Sequence, residues 1–227
     1  MADKVSFPNE TSDYRTARQE LLEAEMSLRA EIERVAVLRR KLPVGGALKE
    51  DYVFDELVEG KARQVRFSEL FGPERDTLFI YNLMYGPNMK AACPACTSLL
   101  DGINGHIPQL NQRIATAVVA KRGLADLQAH ADARGWSHLR LLSSANNNYN
   151  IDYHGEKDGQ QMPMANIFVR DDQGIHHRWG TEMLYAPGID GGHARHMDLA
   201  WPLWQVLDMT PSGRGDWFPS VYDGSNE

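Results

Sequence analysis

Residues 77–112 read TLFIYNLMYGPNMKAACPACTSLLDGINGHIPQLNQ, and the fold of the chain turns on this stretch. Leu78 to Met84 is an apolar run of large, β-prone side chains, the signature of a buried strand. Gly86, Pro87 and Asn88 break the run, and a helix is expected from about Cys93. At that seam stand Cys93 and Cys96, separated by Pro94 and Ala95; they are the two cysteines of the chain. Pro94 falls at the first helical position, where a missing N–H costs nothing. The start of a helix carries partial positive charge, so a thiolate there is stabilised and its pKa falls. A strand feeding C-P-x-C at a helix start is the layout of a dithiol redox site.

Downstream, Ile114 to Arg122 (IATAVVAKR) is a continuous apolar run suited to a parallel strand buried on both faces. Leu124 to Arg134 predicts a short amphipathic helix closed by Gly135, and Leu139 to Ser144 a short strand. Asn146 to Gln161 (NNNYNIDYHGEKDGQQ) has no apolar period and is expected to be a polar surface insertion near the site. Met162-Pro163-Met164 leads into a strand at Asn166 to Arg170. The turn Asp171 to Gly174 then returns the chain along Ile175 to Leu184 as an antiparallel partner. Met197 to Met209 predicts a last helix, with Pro202 kinking it or lying in its first turn. The tail TPSGRGDWFPSVYDGSNE is aromatic and rich in Gly and Pro, and is expected to wrap the surface irregularly.

Upstream, Tyr52 to Phe71 gives two strand-like pieces, YVFDE and QVRFSELFG, around a turn at Glu59-Gly60. Before them a long helix is expected from Ser12 or Asp13, both good caps, to Leu42, where Pro43 stops it. Tyr14, Leu21, Leu28, Val35 and Leu42 recur every seventh residue among Glu and Arg, with Ala17, Ala24, Ile32 and Leu38 beside them. Such a stripe packs on its own domain or on a second copy, so a homodimer is one expectation. Val44-Gly45-Gly46 reads as a joint. The chain thus divides into a tail and helix over 1–46 and a domain over 47–227.

The chain has 227 residues, 42% hydrophobic and 24% charged, which suits one globular domain with an appendage. A net charge of −7 argues against nucleic acid and anionic membranes as partners. No apolar run approaches a membrane span, and MADKVSFPNE lacks the basic and apolar regions of a secretory signal. The sequence therefore points to a reducing cytoplasm, where two cysteines are catalytic or metal-binding rather than a structural bridge. No G-x-S-x-G elbow and no phosphate-binding Gly-rich loop occurs, and no cofactor is implied.

Three readings of the cysteines stand side by side. In the first, Cys93 at the helix end is the nucleophile and Cys96, one turn in, resolves the mixed disulfide. Lys90 either lowers the Cys93 pKa further or is a solvated loop charge. In the second, the cysteines and His193 with His196, three residues apart, hold a metal. His176 and His177 adjoin on a strand, point to opposite faces and cannot chelate together. In the third, the fold is a non-enzymatic interaction protein whose long helix and aromatic tail serve assembly. The late tryptophans, Trp201, Trp204 and Trp217, read as core and interface mass, or as a pocket for an apolar substrate.

The order strand, helix, strand, helix, hairpin, helix, with C-P-x-C at the first helix, resembles the thioredoxin fold, an α/β fold with a central mixed sheet. That resemblance implies a proline, usually cis, before the third core strand and facing the dithiol; Pro163 occupies the place. GKARQVRFSELFG looks like the lead-in of the peroxiredoxin and thiol-reductase branch. Yet the peroxiredoxin pattern P-x-x-x-T/S-x-x-C is not met, since Gly86 and Lys90 stand at its Pro and Thr/Ser positions. Over almost its full length the chain resembles a bacterial thioredoxin-like family known as domain-of-unknown-function family eight-nine-nine. The matching pieces are RRKLP, DYVFDE, FSELFG, the YGPNMK–CPAC segment and WPLWQVLDMTPSGRGDWFP. The resemblance implies the fold and says little of activity. A thiol–disulfide exchanger would take a disulfide-containing protein, a small thiol or a peroxide as substrate.

Overall fold

The computed structural model describes residues 5–187, 197, 200–211, 215 and 219, without the side chain of residue 204. The chain forms two compact units, residues 1–43 and 44–227.

The first unit is the helix α1, Ser12–Lys41, capped by Thr11, whose hydroxyl accepts the Tyr14 N–H at 3.2 Å. Asp13 in its first turn and Arg39, Arg40 and Lys41 in its last complement the helix dipole. The cap is thus Thr11 rather than Ser12 or Asp13. No residue of α1 is buried, and Tyr14, Leu21, Leu28 and Leu42 of the seven-residue stripe are exposed.

Among the described residues of the second unit, seven strands form one mixed sheet. They are β1 (Val53–Val58), β2 (Lys61–Arg66), β3 (Thr77–Asn82), β4 (Ala115–Ala120), β5 (Leu141–Ser143), β8 (Met164–Asp171) and β9 (Gly174–Gly180). Two-residue strands β6 (Glu156–Lys157) and β7 (Gln160–Gln161) make a separate small hairpin. The sheet order is β2-β1-β5-β4-β3-β8-β9. Beside the central strand β4, β3 is parallel to β4 and antiparallel to β8, with Tyr81 opposite both Val118 and Ala165. The helices are α2 (Pro94–Asn104), the short α3 (Ile107–Leu110), α4 (Leu124–Arg134), the single-turn α5 (Tyr149–Asp152) and α6 (Pro202–Asp208). The sequence β3-α2-β4-α4, closed by the β8–β9 hairpin, makes this a thioredoxin-like fold, extended by the β1–β2 hairpin and β5.

Alternation along β3 sorts its side chains between two cores. Leu78 and Ile80 enter an aromatic core with Tyr52, Phe54, Phe67, Phe71, Tyr149 and Phe168. Phe79 and Tyr81 enter the other, with Cys96, Leu99, Leu100 and Ile103 of α2, Leu127 and Ala131 of α4, and Trp201. β4 is buried throughout, as its unbroken apolar run requires. α4 ends at Gly135, whose φ of 67° is the left-handed conformation a helix cap asks for.

Four expectations are corrected. QVRFSELFG is not strand throughout: β2 stops at Arg66 and Phe67–Phe71 form a 3-10 turn. Glu69 accepts the Arg66 N–H at 2.7 Å and Asp51 accepts the Ser68 N–H at 2.8 Å, so side chains satisfy the backbone that a strand would pair. The insertion is not merely surface loop, because Tyr149 is fully buried, edge-on to Tyr52 and Phe54 at 5.5 Å. The last helix begins only at Pro202, its first residue, where proline is tolerated. Gly45 and Gly46 are not a free joint: the Gly45 N–H bonds to the His177 carbonyl at 3.1 Å and the His177 N–H to the Gly46 carbonyl at 2.9 Å. A Cβ on Gly45 would sit 2.3 Å from that His177 oxygen, so only glycine allows the approach. Among the described residues no helix is long and apolar enough to cross a membrane.

Candidate active site

β3 ends at Asn82, and Leu83 extends the ladder by donating its N–H to the Val119 carbonyl at 2.9 Å. The chain then turns through residues 85–89 and returns so that the Cys93 N–H meets the Met84 carbonyl at 2.9 Å. Arg122, just beyond β4, fastens this turn. Its guanidinium donates to the carbonyls of Pro87 at 2.7 Å and Met89 at 3.3 Å, lies 5.0 Å from the Tyr85 ring centre, and is held by Asp126 at 2.6 Å. From the other side Gln161 of β7 packs on Gly86, where a Cβ would meet its side chain at 2.8 Å. The insertion therefore does border the loop leading to the dithiol.

Cys93 caps α2 and Pro94 is the first residue of that helix. The Cys93 carbonyl accepts the Thr97 N–H and the Thr97 hydroxyl, each at 3.0 Å, and that hydroxyl lies 3.1 Å from His130 Nε2. The two sulfurs differ in setting. Cys93 is half-buried, whereas Cys96 is 2% exposed on the face of α2 turned to the sheet. The Cys96 thiol donates to the Cys93 sulfur, and the backbone N–H groups of Cys96 and Ala95 add to it. Against the opposing cost of burial these bring the Cys93 pKa down to about 6. The same hydrogen bond, together with burial and the Cys93 charge, pushes the Cys96 thiol well up. The neighbouring Tyr81 phenol and Met84 backbone oppose that rise. The arrangement sets one partly exposed sulfur that ionises readily beside one buried sulfur that holds its proton.

The remaining residues singled out in the sequence fall as follows. Lys90 is exposed in the loop and is not among the groups that lower the Cys93 pKa. Pro163 is buried immediately before β8, whose first residue, Met164, pairs with Asn82; it thus lies at the end of the sheet where β3 leaves for Cys93. Its peptide bond is trans, since no described bond is cis. The Met162 N–H bonds to the Gly155 carbonyl at 2.9 Å and carries the chain directly into β8. His193 and His196 lie outside the described residues, as does Trp217. Among the described residues no group of three His, Cys, Asp or Glu is placed to hold a metal. His177 is half-buried and stacked on Tyr153 at 5.8 Å, while His176 turns to Asp171 at 3.8 Å, the opposite facing expected of neighbours on a strand. Trp201 is buried against α2, its indole N–H 3.4 Å from the Ser98 hydroxyl. A cavity of about 870 Å³, lined by Tyr153, His177 and Asn166 among others, includes neither cysteine in its wall.

Sequence reasoning missed Tyr81, Arg122, Thr97 and His130. Tyr81 was hidden in an apolar run, where an aromatic reads as core mass. Arg122 carried one signal, a charge closing a fully apolar strand.

The family described as "Bacterial protein of unknown function (DUF899)" matches residues 5–223. The chain belongs to this family. No curated protein matches it significantly. Solved structures similar to it include Enterococcus faecalis AhpC, at 15% identity and TM-score 0.46, covering 72% of this chain and 91% of that one. Reduced Plasmodium vivax 2-Cys peroxiredoxin has 12% identity and TM-score 0.46, covering 72% and 97%. Xanthomonas campestris peroxiredoxin Q has 15% identity and TM-score 0.43, covering 60% and 84%.

Proposed function

We propose that this family member is a thiol–disulfide oxidoreductase of a reducing cytoplasm, working through Cys93 and Cys96. The observation that carries the reading is the split between the two thiols, one held down to about 6 and accessible, the other neutral and buried one helical turn away. The Cys93 thiolate attacks one sulfur of a substrate disulfide and expels the other as a thiolate, which takes up a proton. Cys96 then attacks Cys93, releasing the second substrate sulfur and leaving a Cys93–Cys96 disulfide that an external thiol reduces. Pro94 starts the helix that supports the thiolate, Pro163 shapes the groove beside it, and Lys90 belongs to the exposed loop that leads to Cys93. The substrate is a protein disulfide or a small disulfide; a peroxide is a slower alternative, because Lys90 replaces the hydroxyl that would orient it. Trapping tests the roles. Cys96→Ser protein mixed with a substrate disulfide should hold a stable mixed disulfide on Cys93, and Cys93→Ser protein should hold none. Equal trapping in the two variants would remove the assignment of nucleophile and resolver.

A further inference from the structure

We infer that α1 pairs with α1 of a second copy in the antiparallel sense, setting Glu20 against the partner's Arg34 and Asp13 against the partner's Lys41. The pairing is independent of the dithiol chemistry.

The helix lacks a packed face of its own. α1 runs 30 residues, about 45 Å, and none of them is buried. Most helical stability in proteins comes from packing an apolar face, so a helix of this length calls for a partner. Its apolar side chains are ordered for one. Tyr14, Leu21, Leu28 and Val35 recur every seventh residue, and Ala17, Ala24, Glu31 and Leu38 stand three residues after each. Tyr14, Leu21, Leu28 and Leu38 are each about half exposed. Two such core positions per seven residues make the seam of a two-helix coil.

The charges beside the seam choose its direction. The residues just before the first core set are Asp13, Glu20, Ser27 and Arg34, followed by Lys41, so this edge runs from acidic to basic. Those just after the second set are Arg18, Glu25, Ile32 and Arg39. In a parallel pair the first edge meets the second edge of the partner five residues on. Asp13 would gain Arg18, but Glu20 would face Glu25, Arg34 would face Arg39, and Glu31 would face its own copy inside the seam.

Reversing one helix removes these conflicts. The acidic-to-basic edge then meets itself backwards, giving Asp13 with the partner's Lys41 and Glu20 with the partner's Arg34, each pair occurring twice by symmetry. One like pair remains, Glu25 with its own copy at the centre of the other edge. In the core the small residues meet large ones: Ala17 faces the partner's Val35, Ala24 its Leu28, and Tyr14 its Leu38. Leu21 faces the partner's Glu31, a carboxylate already held at 2.8 Å by Arg34 of its own helix. Opposed helix dipoles favour the same direction.

Sedimentation equilibrium of the full chain, kept reduced and at low salt, tests the direction. Wild-type protein should dimerise. Glu20→Arg and Arg34→Glu should each weaken the dimer roughly tenfold, because two exposed pairs turn from attraction to repulsion. The double variant should return to within about threefold of wild type, since the pairs re-form with their signs exchanged. Arg34→Glu also loses its bond to Glu31, but the double variant keeps that defect, so its recovery reads the contact between copies. A parallel pair gives the opposite sign, because each single change would there relieve a repulsion and tighten the dimer. Tighter dimers from either single variant would overturn the antiparallel reading, as would unchanged affinities or a double variant no better than the singles. A wild-type chain that stays monomeric at every concentration would overturn the pairing itself and leave the dithiol reading untouched.

Discussion

The low pKa of Cys93 has a removable cause. The largest contribution is the hydrogen bond from the Cys96 thiol, with the backbone N–H groups of Cys96 and Ala95 behind it and burial working against all three. Cys96→Ala deletes the thiol donor and keeps both N–H groups. A hydrogen bond to an ionised group contributes about 1.5–3 kcal/mol, which at 1.36 kcal/mol per pKa unit is a rise of about one to two units. With a pKa of about 6 roughly nine-tenths of Cys93 is thiolate at neutral pH; after the substitution about half to one-tenth would be. Iodoacetamide labelling across a pH series, read by mass spectrometry, reports the midpoint. In wild-type protein Cys93 should label with a midpoint near 6, and Cys96 should resist because it is both protonated and enclosed. In Cys96→Ala the midpoint should climb by one to two units. A midpoint that stays near 6 would show that the helix start alone holds the thiolate, and the account of two coupled sulfurs would be wrong.

Three further expectations concern the frame around the site. Arg122→Ala removes the fastening of residues 87–89 and should cost about 1–2 kcal/mol in denaturant unfolding, with faster proteolysis in that loop; unchanged values would show the clamp to be idle. Glu56, 3% exposed, takes bonds from Arg140 at 2.8 Å and Arg63 at 2.7 Å. Burial raises its pKa, but the two guanidinium groups outweigh that and the net shift is downward. A carboxyl whose folded pKa is depressed stabilises above its unfolded value, about 4.3, and loses that contribution as pH falls through the folded value. Glu56→Gln should therefore cost about 1–3 kcal/mol at neutral pH and much less in strong acid; a penalty independent of pH would refute the ionic explanation. Lastly, if the exposed stripe of α1 pairs with a second copy, Leu21→Glu with Leu28→Glu should turn a sedimenting dimer into a monomer, whereas a wild-type monomer would leave the stripe without that role.

Much of this architecture was legible because it rests on local rules. The apolar run before Gly86 had to be a strand, Pro94 marked the first residue of α2, and Gly135 closed α4 at the expected place. What escaped depends on contacts between distant residues. Tyr149 sits in an Asn-rich stretch with no period, and its burial is decided by Tyr52 and Phe54, nearly a hundred positions earlier. The turn at Phe67–Phe71 looks like β-sequence by composition, yet Asp51 and Glu69 satisfy its backbone. In the site the cysteines and their order announced themselves, whereas Tyr81 and Arg122 did not. A phenol in an apolar strand and an arginine after one acquire meaning only when the helix and the loop are set against them.

On the proposed reading, Cys93 and Cys96 form a reversible two-electron couple. The most direct measurement is equilibration of the full-length protein in thiol–disulfide buffers of stepped potential, followed by acid quenching, alkylation and peptide mass analysis, with zinc measured on the same sample. A single two-electron transition is expected, in which the oxidised protein is lighter by two hydrogens, carries a Cys93–Cys96 link, and returns to two free thiols on reduction, with well under one equivalent of zinc. Two thiols that label equally and slowly and stay unlinked at every potential would contradict it, as would stoichiometric zinc lost on changing Cys96.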